Sequence, residues 1–388
     1  MEDFIRLLKT LSEARGPSGF EDEVREVVIR EMEPYVDEVV VDRWGNVIGV
    51  RRGSSDYRAM VAAHMDEIGL VVDYIDKEGF LRIRPIGGWS EVTLAGQRVW
   101  VRAVDGRWVR GVVGVTPPHV TPSGKEREAP EIKDMYVDVG ARSREEVERM
   151  GIAVGSVAVL DRELAVLNGG VVTGKAFDDR VGVAVMLYAL RQLREVPVTL
   201  YAVATVQEEV GLRGAQITAE RINPHYAVAL DTTIAADVPG VEERQHVTKM
   251  GRGVAIKVLD GGRGGLFIAH PALRDHIINI AREVGIPYQL EVLYGGTTDA
   301  MAIAFRREGV PAVALSIPTR YVHSPVELLD VRDAVNTATL LRHVIEKTPP
   351  PVIDKFLERE SNEEAAGSGN YIQACTYCHN FRHSALLR

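Results

Sequence analysis

Histidines and acidic residues follow the apolar segments of this sequence at four separate places. Each segment has the composition of a buried strand, and in open α/β sheets ligands bind beyond the carboxyl ends of the strands. Since imidazole and carboxylate groups are common metal ligands, the four segments predict a metal site at one sheet edge. The residues are His64 and Asp66 after AMVAA, Glu208 and Glu209 after YAVATVQ, Asp231 after HYAVAL, and His323 after AVALSIPTRYV.

Asp178 adds a fifth position, because it opens a predicted helix whose first turn favours a carboxylate. Counted as ligands, Asp178, Asp231 and one of the two adjacent glutamates give three carboxylates, and the two histidines give two imidazoles. Together with a hydroxide, the three carboxylates neutralise two divalent cations. A single zinc ion needs only three or four ligands, so the surplus favours two metal ions per subunit, about 3.5 to 4 Å apart. Zinc, cobalt and manganese all suit these ligands, and we predict zinc or cobalt.

Glu208 and Glu209 are adjacent, and adjacent residues of a strand point to opposite faces. At a strand end both can face the site, so that one binds metal while the other accepts a proton from a metal-bound water. Asp66 lies two residues beyond His64 and can orient its imidazole. Taken singly, an Asp or His at a strand end is more often a turn residue, so the inference depends on the whole set.

The elements that must position these residues alternate between strands and helices, which predicts an α/β sheet covered by helices. A capping box of Ser18 and Glu21 marks the second helix. The predicted helices are 2–13, 21–32, 178–195, 271–285 and 331–347, and the predicted strands of the sheet are 57–63, 198–206, 226–230 and 313–317.

Residues 70–164 follow a period of two instead, which predicts an inserted β-rich module. Asp105-Gly106 is a hairpin signal within it, and Ser143 is the predicted N-cap of one short helix. We therefore predict an α/β catalytic domain of residues 1–69 and 165–350, the inserted module, and a flexible extension over 351–388.

Composition excludes several classes of function. The formal charge of −9 over 388 residues argues against nucleic-acid binding, which needs a basic surface. No apolar run reaches the roughly 20 residues that cross a bilayer, and the acidic N-terminus does not resemble a signal peptide. The two cysteines, Cys375 and Cys378, lie near the C-terminus, so the main body has no disulfide framework and suits the cytoplasm.

The segment CTYCH at 375–379 matches the haem c attachment pattern, which keeps an electron carrier among the alternatives. A Soret band in the purified protein would identify that class. We interpret the segment instead as a dispensable extension, because it follows the linker-like sequence SNEEAAGSGN and has no place in the predicted fold.

At these residues the sequence resembles the tetrahedral (TET) metallo-aminopeptidases, also called glutamyl aminopeptidases, deblocking aminopeptidases and cellulase-M-like peptidases. The resemblance covers about residues 1–350. The motifs that carry it, in order, are HMDEIG at 64–69, GKAFDDRVG at 174–182, QEEVGLRGA at 207–215, ALDTT at 229–233, TDA at 298–300 and SIPTRYVHSPVE at 316–327.

The resemblance implies that two metal ions activate a bridging hydroxide, with Asp178 shared between them. His64 and Asp231 would hold one ion, Glu209 and His323 the other, and Glu208 would be the general acid and base, with Asp66 supporting His64. It also implies a metallo-exopeptidase sheet sandwiched by helices, a PDZ-like dimerisation module, and dimers that assemble into a hollow tetrahedral dodecamer.

The implied activity is the removal of N-terminal residues from peptide substrates. A related two-metal deacylase or carboxypeptidase stays open at this point, and the requirement for a free substrate amine separates it from an aminopeptidase. A non-enzymatic assembly scaffold also stays open, although the intact Glu208-Glu209 pair argues against it. The side-chain preference depends on loop residues that form the pocket, and the sequence does not assign it.

Overall fold

The protein is described by a computed structural model that covers residues 1–117, 119, 130–262 and 265–357. Within these residues, numbered in chain order, the strands are β1 Glu38–Val41, β2 Val47–Arg51, β3 Arg58–His64, β4 Gly69–Ile75, β5 Leu81–Ile86, β6 Arg98–Arg102, β7 Trp108–Gly114, β8 Tyr136–Asp138, β9 Val157–Leu160, β10 Ala165–Val166, β11 Val171–Gly174, β12 Thr199–Thr205, β13 Tyr226–Ile234, β14 Val254–Gly262, β15 Gly265–Ile268, β16 Tyr288–Val292, β17 Ala312–Arg320 and β18 Glu327–Asp330. The helices are α1 Glu2–Glu13, α2 Asp22–Met32, α3 Glu91–Leu94, α4 Arg144–Arg149, α5 Phe177–Leu190, α6 Arg213–Ile222, α7 Pro271–Glu283, α8 Asp299–Ala304, α9 Val331–Glu346 and α10 Pro350–Leu357.

Twelve strands form one large mixed sheet with the order β1-β2-β12-β3-β13-β17-β18-β11-β10, and β14 joins β15 and β16 to it beside β17. The four central strands, β12, β3, β13 and β17, run parallel to one another. They are almost wholly buried, which explains why their sequences are continuous apolar runs and not alternating ones. The predicted α/β architecture is therefore confirmed.

Two groups of helices pack on these central strands. α5 contacts β3, β13 and β17 and lies against α1 and α9, whereas α6 and α8 contact each other and the same part of the sheet. The predicted helix at 2–13 is confirmed, but α5 ends at Leu190 instead of residue 195. The guanidinium of Arg51 accounts for this end, because it donates to the main-chain oxygens of Leu190, Leu193 and Arg194.

The helix caps depend on tertiary contacts. The capping box predicted at Ser18 and Glu21 is wrong: the Ser18 hydroxyl donates instead to the Asp66 carboxylate at 2.6 Å, and α2 begins at Asp22 without a side-chain cap. Ser143, by contrast, caps α4 as predicted by accepting the Glu146 N–H. The cap by Ser143 was therefore predictable from the local sequence. The cap by Ser18 was not, because the Asp66 carboxylate takes its hydroxyl.

The inserted segment forms a closed six-stranded barrel with the order β4-β5-β8-β7-β6-β9 and its own apolar core. The hairpin predicted at Asp105-Gly106 joins β6 to β7. The prediction of a flexible extension from residue 351 is wrong for residues 351–357, because they belong to α10, which buries Ile353 and Phe356. The rest of the predicted extension, with the CTYCH segment, lies outside the described residues. No described helix has both the length and the apolar character that a bilayer crossing requires.

A buried ion pair links the segment that enters the barrel to the segment between β11 and α5. Glu67 precedes β4, and Lys175 follows β11; their side chains are 2% and 1% exposed and lie 2.7 Å apart. Arg180 of α5 adds a second cation 3.4 Å from Glu67 and donates to the main-chain oxygen of Met65 at 2.7 Å. The carboxylate of Glu67 therefore holds the segment before β4 against the segment that leads into α5.

Candidate active site

Three of the four central strands lead directly to predicted site residues. His64 is the last residue of β3 and pairs in register with Thr205, the last residue of β12, so Glu208 and Glu209 follow at the same edge. His323 lies just beyond β17. Asp231 differs from the prediction, because β13 continues past it to Ile234 in register with β17. Its carboxylate is therefore held by a strand and not by a strand end.

The structure brings the six residues proposed as metal ligands or general base into one place, which we call the site cluster: His64, Asp178, Glu208, Glu209, Asp231 and His323. All six line a single cavity of about 450 Å³. The cavity is also lined by four apolar residues and four threonines. These residues are Leu212, Ile234, Leu293 and Val322, and Thr232, Thr233, Thr297 and Thr298.

Asp178 lies between the two imidazoles of the site cluster. Its Oδ1 is 3.1 Å from Nε2 of His64, and its Oδ2 is 3.3 Å from Nε2 of His323. Nε2 of His323 is also 3.3 Å from Oε2 of Glu209. One carboxylate therefore contacts both imidazoles, which is the arrangement required of a ligand shared by two metal ions.

Asp66 lies behind His64, where the sequence analysis places it. Nδ1 of His64 is 3.2 Å from the main-chain oxygen of Asp66 and 3.5 Å from its Oδ1. The Asp66 carboxylate has further partners that the sequence does not indicate: it accepts the backbone N–H groups of Glu208 and Glu209 at 3.0 and 3.3 Å. Asp66 therefore contacts three members of the site cluster.

Sequence reasoning missed the nearby acids Asp179 and Asp299. An oxygen of Asp179 lies within 4.8 Å of ligand atoms of His64 and Asp231, so these three could hold a metal ion. Asp299 is buried and accepts the Thr205 hydroxyl at 2.6 Å. Both lie in motifs that were recognised, and the one available signal was the position of Asp179 next to Asp178.

Acids of the site cluster titrate abnormally, because they share a buried space. Burial raises the pKa of Glu208 well above its usual range, and the charges of Asp231 and Asp299 add to the rise. Burial and the charge of Asp178 likewise raise the pKa of Asp231. Concentrated negative charge of this kind is costly in a buried site and is relieved by bound cations.

Asp178 and the imidazoles shift in the opposite direction. Burial alone would raise the pKa of Asp178, but hydrogen bonds with His323 and His64 hold it well below its usual range. Burial would lower the pKa of His323, yet the hydrogen bonds with Asp178 and Glu209 raise it to about 12. Burial would likewise lower the pKa of His64, but the charge of Glu208 and hydrogen bonds with Asp178 and Asp66 raise it. Both shifts favour protonated imidazoles in the absence of metal. Divalent cations would have to displace these protons on binding.

The site cluster fits divalent metal ions by its donor chemistry. Oε1 of Glu209 is buried and has no hydrogen-bond partner among the described residues, although its Oε2 contacts His323. Ligand atoms of His64, Asp178 and Glu209 lie within 4.8 Å of one another. A free buried acceptor beside two further ligand atoms is what an entering cation requires.

Lys257 also borders the cavity, but its charge is already paired. Its Nζ lies 2.7 Å from Oε1 of Glu291 and 3.8 Å from Oδ2 of Asp260, and all three side chains are buried. Burial raises the pKa of Asp260 to about 6. The amine therefore offers little uncompensated positive charge to a substrate in the cavity.

The protein has a parallel-centred α/β sheet, and the cavity at its edge holds the buried imidazoles and carboxylates of a candidate metal centre, as metal-dependent hydrolases do. Residues 45–340 match the family described as M42 glutamyl aminopeptidase, and residues 2–28 match one described as AMPT. Because the first match covers most of the chain, the protein belongs to the M42 peptidase family.

Individual relatives agree with this assignment. The chain is 39% identical to the lysyl aminopeptidase of Pyrococcus furiosus, over 89% of this chain and 97% of that protein. It resembles the structure of aminopeptidase APDkam598 from Desulfurococcus kamchatkensis with a TM-score of 0.89 at 50% identity, covering 93% of this chain and 99% of the other.

A further similar structure is the TET1 peptidase of Pyrococcus horikoshii, at 34% identity and a TM-score of 0.79, covering 88% of this chain and 99% of the other. The predictions of a TET-type family and of an aminopeptidase that removes N-terminal residues are confirmed.

Proposed function

We propose that this aminopeptidase uses two divalent metal ions, zinc or cobalt, held by the site cluster. The observation that carries the proposal is the position of Asp178, whose two oxygens face the two imidazoles from 3.1 and 3.3 Å. In the proposed assignment the ligands of one ion are His64 and Asp231, those of the other are Glu209 and His323, Asp178 is shared, and Glu208 is the general acid and base.

When bound, the ions would polarise the scissile carbonyl and make a water molecule acidic near neutral pH. Glu208 lines the cavity with its Oε2 3.9 Å from Nε2 of His64. Its carboxylate would take a proton from the attacking water and return it to the departing amine. Burial raises the pKa of Glu208 from its ordinary value, which is the direction that general acid–base catalysis requires of a carboxyl group.

Exopeptidase action follows from the charge of the same cavity. A substrate that brings a free α-ammonium group adds positive charge beside the carboxylates of Glu209 and Asp231, whereas an acylated amine brings none. The paired state of Lys257 further indicates that an acidic substrate side chain gains no free cation there. The site is therefore suited to peptides with a free N-terminus.

The metal-loaded protein is expected to hydrolyse aminoacyl p-nitroanilides about 100-fold or more faster than their N-acetylated counterparts, because blocking the amine leaves buried polar groups unpaired. A chelator should abolish the activity, and added zinc or cobalt should restore it. Equal cleavage of acetylated substrates would instead support a deacylase, and hydrolysis that survives removal of all metal would contradict the proposal.

We further propose that the barrel, within the module 70–164, mediates dimerisation as a PDZ-like unit, and that dimers assemble into a tetrahedral dodecamer. The TET1 relative can assemble into a tetrahedron or a large octahedral shell. Residues 1–69 and 165–350 would form the catalytic domain of each subunit.

Light scattering is expected to give a particle twelve times the 42.7 kDa chain. A truncation ending at Leu357 serves as the matched sample, because it removes only residues outside the described part of the chain. A mass of one or two chains at all concentrations would contradict the dodecamer.

A further inference from the structure

Glu327, the first residue of β18, makes contacts that the proposed mechanism does not use. Its side chain is 2% exposed. Oε2 accepts the backbone N–H of Asp178 at 3.0 Å, and Oε1 accepts the backbone N–H of His323 at 2.8 Å. One buried carboxylate therefore joins two members of the site cluster that are far apart in sequence.

The two residues that Glu327 contacts need such support. His323 has a φ of 61°, a left-handed conformation that a residue other than glycine adopts only when its surroundings impose it. Asp178 lies in the first turn of α5 with the non-helical angles φ −76° and ψ 107°. Neither conformation is provided by a regular element, so the hydrogen bonds to Glu327 supply what the helix and the loop do not.

Glu327 is itself held in a fixed position. β18 pairs with β11, and Glu327 stands opposite Gly174 in that pairing. β18 also pairs with β17, whose end leads to His323. The carboxylate is thus attached to the strands that precede Asp178 and His323, and a strand is a more rigid support than a loop.

The same device recurs around the site cluster. Asp66 accepts the N–H groups of Glu208 and Glu209, and Asp179 accepts that of His64 at 3.3 Å together with that of Gly182 at 3.0 Å. Three buried carboxylates therefore hold the backbones of five cluster members. The cluster members held in this way are His64, Asp178, Glu208, Glu209 and His323.

We propose that Glu327 is a positioning residue for hydrolysis, which fixes the backbones of Asp178 and His323. Their side chains then keep the geometry required by the metal ion assigned to Glu209 and His323, which we call the second ion. This inference rests on the proposed function. A carboxylate is suited to this role because it has two acceptor oxygens and no donor, whereas an amide has one acceptor and one donor group.

The test uses the full-length E327Q variant, which keeps the volume of the side chain and leaves one of the two N–H groups without an acceptor. The matched control is D333N. Asp333 of α9 is equally buried and accepts the N–H groups of Gly251 and Gly253 at 2.6 and 2.9 Å, but contacts no member of the site cluster.

Calorimetric titration of the metal-free proteins with Zn²⁺ should show the affinity for the second ion reduced about 10- to 100-fold in E327Q, the usual effect of losing a group that supports a ligand. At saturating metal, kcat should fall by a similar factor, while KM changes less than about threefold, because the loss is one of catalytic geometry. D333N should lower the melting temperature as much as E327Q and leave metal affinity and kcat unchanged.

Equal Zn²⁺ affinities in E327Q, D333N and the parent protein would overturn the inference and leave the proposed function intact. A parent protein that binds no second ion would contradict the proposed function itself. Hydrogen exchange of the parent gives a further test that does not depend on a folded variant: a peptide covering 321–326 should retain slow exchange at the His323 amide. Fast exchange there would also overturn the inference.

Discussion

Glu208→Gln is expected to lower kcat by about 10³-fold or more while the protein still binds its metal ions, because general acid–base groups contribute about 10²- to 10⁴-fold. The amide keeps the shape of the side chain but cannot take a proton from water. The proposal gives Glu208 no role as a metal ligand, and its backbone N–H would stay bound to Asp66. The measurement is steady-state hydrolysis of an aminoacyl p-nitroanilide, with metal content determined on the same sample.

Glu220→Gln is the matched control. Glu220 lies on α6 with its side chain 54% exposed and forms a surface pair with Arg307 at 2.7 Å. Exposed ion pairs of this kind contribute little to the free energy of unfolding, and Glu220 does not line the cavity, so kcat should stay within about twofold of the parent. A Glu208→Gln protein that kept more than a tenth of the parental kcat would remove Glu208 from the proposed role.

Asp178→Asn is expected to lose both metal and activity. The substitution replaces one of the two acceptor oxygens that face His64 and His323 with an amide group, which is a poor metal ligand. Bound metal should fall from two ions per chain to one or none. kcat/KM should fall about 10³-fold, in line with the several kcal/mol of charge stabilisation that a metal ion provides.

Elemental analysis after gel filtration, together with the p-nitroanilide assay, checks this expectation. Asp73→Asn is the control, since Asp73 is 45% exposed and pairs with Arg84 on the outside of the barrel. If Asp178→Asn retained two ions and full activity, the shared-ligand assignment would be wrong even though the protein remains an M42 aminopeptidase.

Much of the sheet was predictable because its central strands are buried on both faces. β3 and β17 carry continuous apolar runs, and the polar residues that end or follow them, such as His64 and His323, fall at one edge for a topological reason. Asp231 lines the cavity, but its predicted place at a strand end is wrong, because β13 extends past it. Pairing with β17 decides that extension, and no local pattern of residues reports it.

The supporting residues were less predictable than the cluster they support. Ser18 has the sequence context of a helix cap, but its hydroxyl bonds to Asp66, 48 residues away. Glu327 follows a proline-containing loop and gives no local sign that it accepts N–H groups from Asp178 and His323. Such contacts depend on the assembled fold, so a single sequence identifies groups that do chemistry more readily than groups that hold them.

The Glu67–Lys175 ion pair also bears on how movement of the barrel affects the site cluster. The chain passes from His64 through Glu67 into the barrel. After the barrel it runs through β10 and β11 of the large sheet and then through Lys175 to Asp178. The pair therefore joins the segment that follows His64 to the segment that precedes Asp178 through one buried contact. A displacement of the barrel that reached Glu67 would be shared with Lys175 and with β11 before it, so the pair would limit its effect on His64 and Asp178.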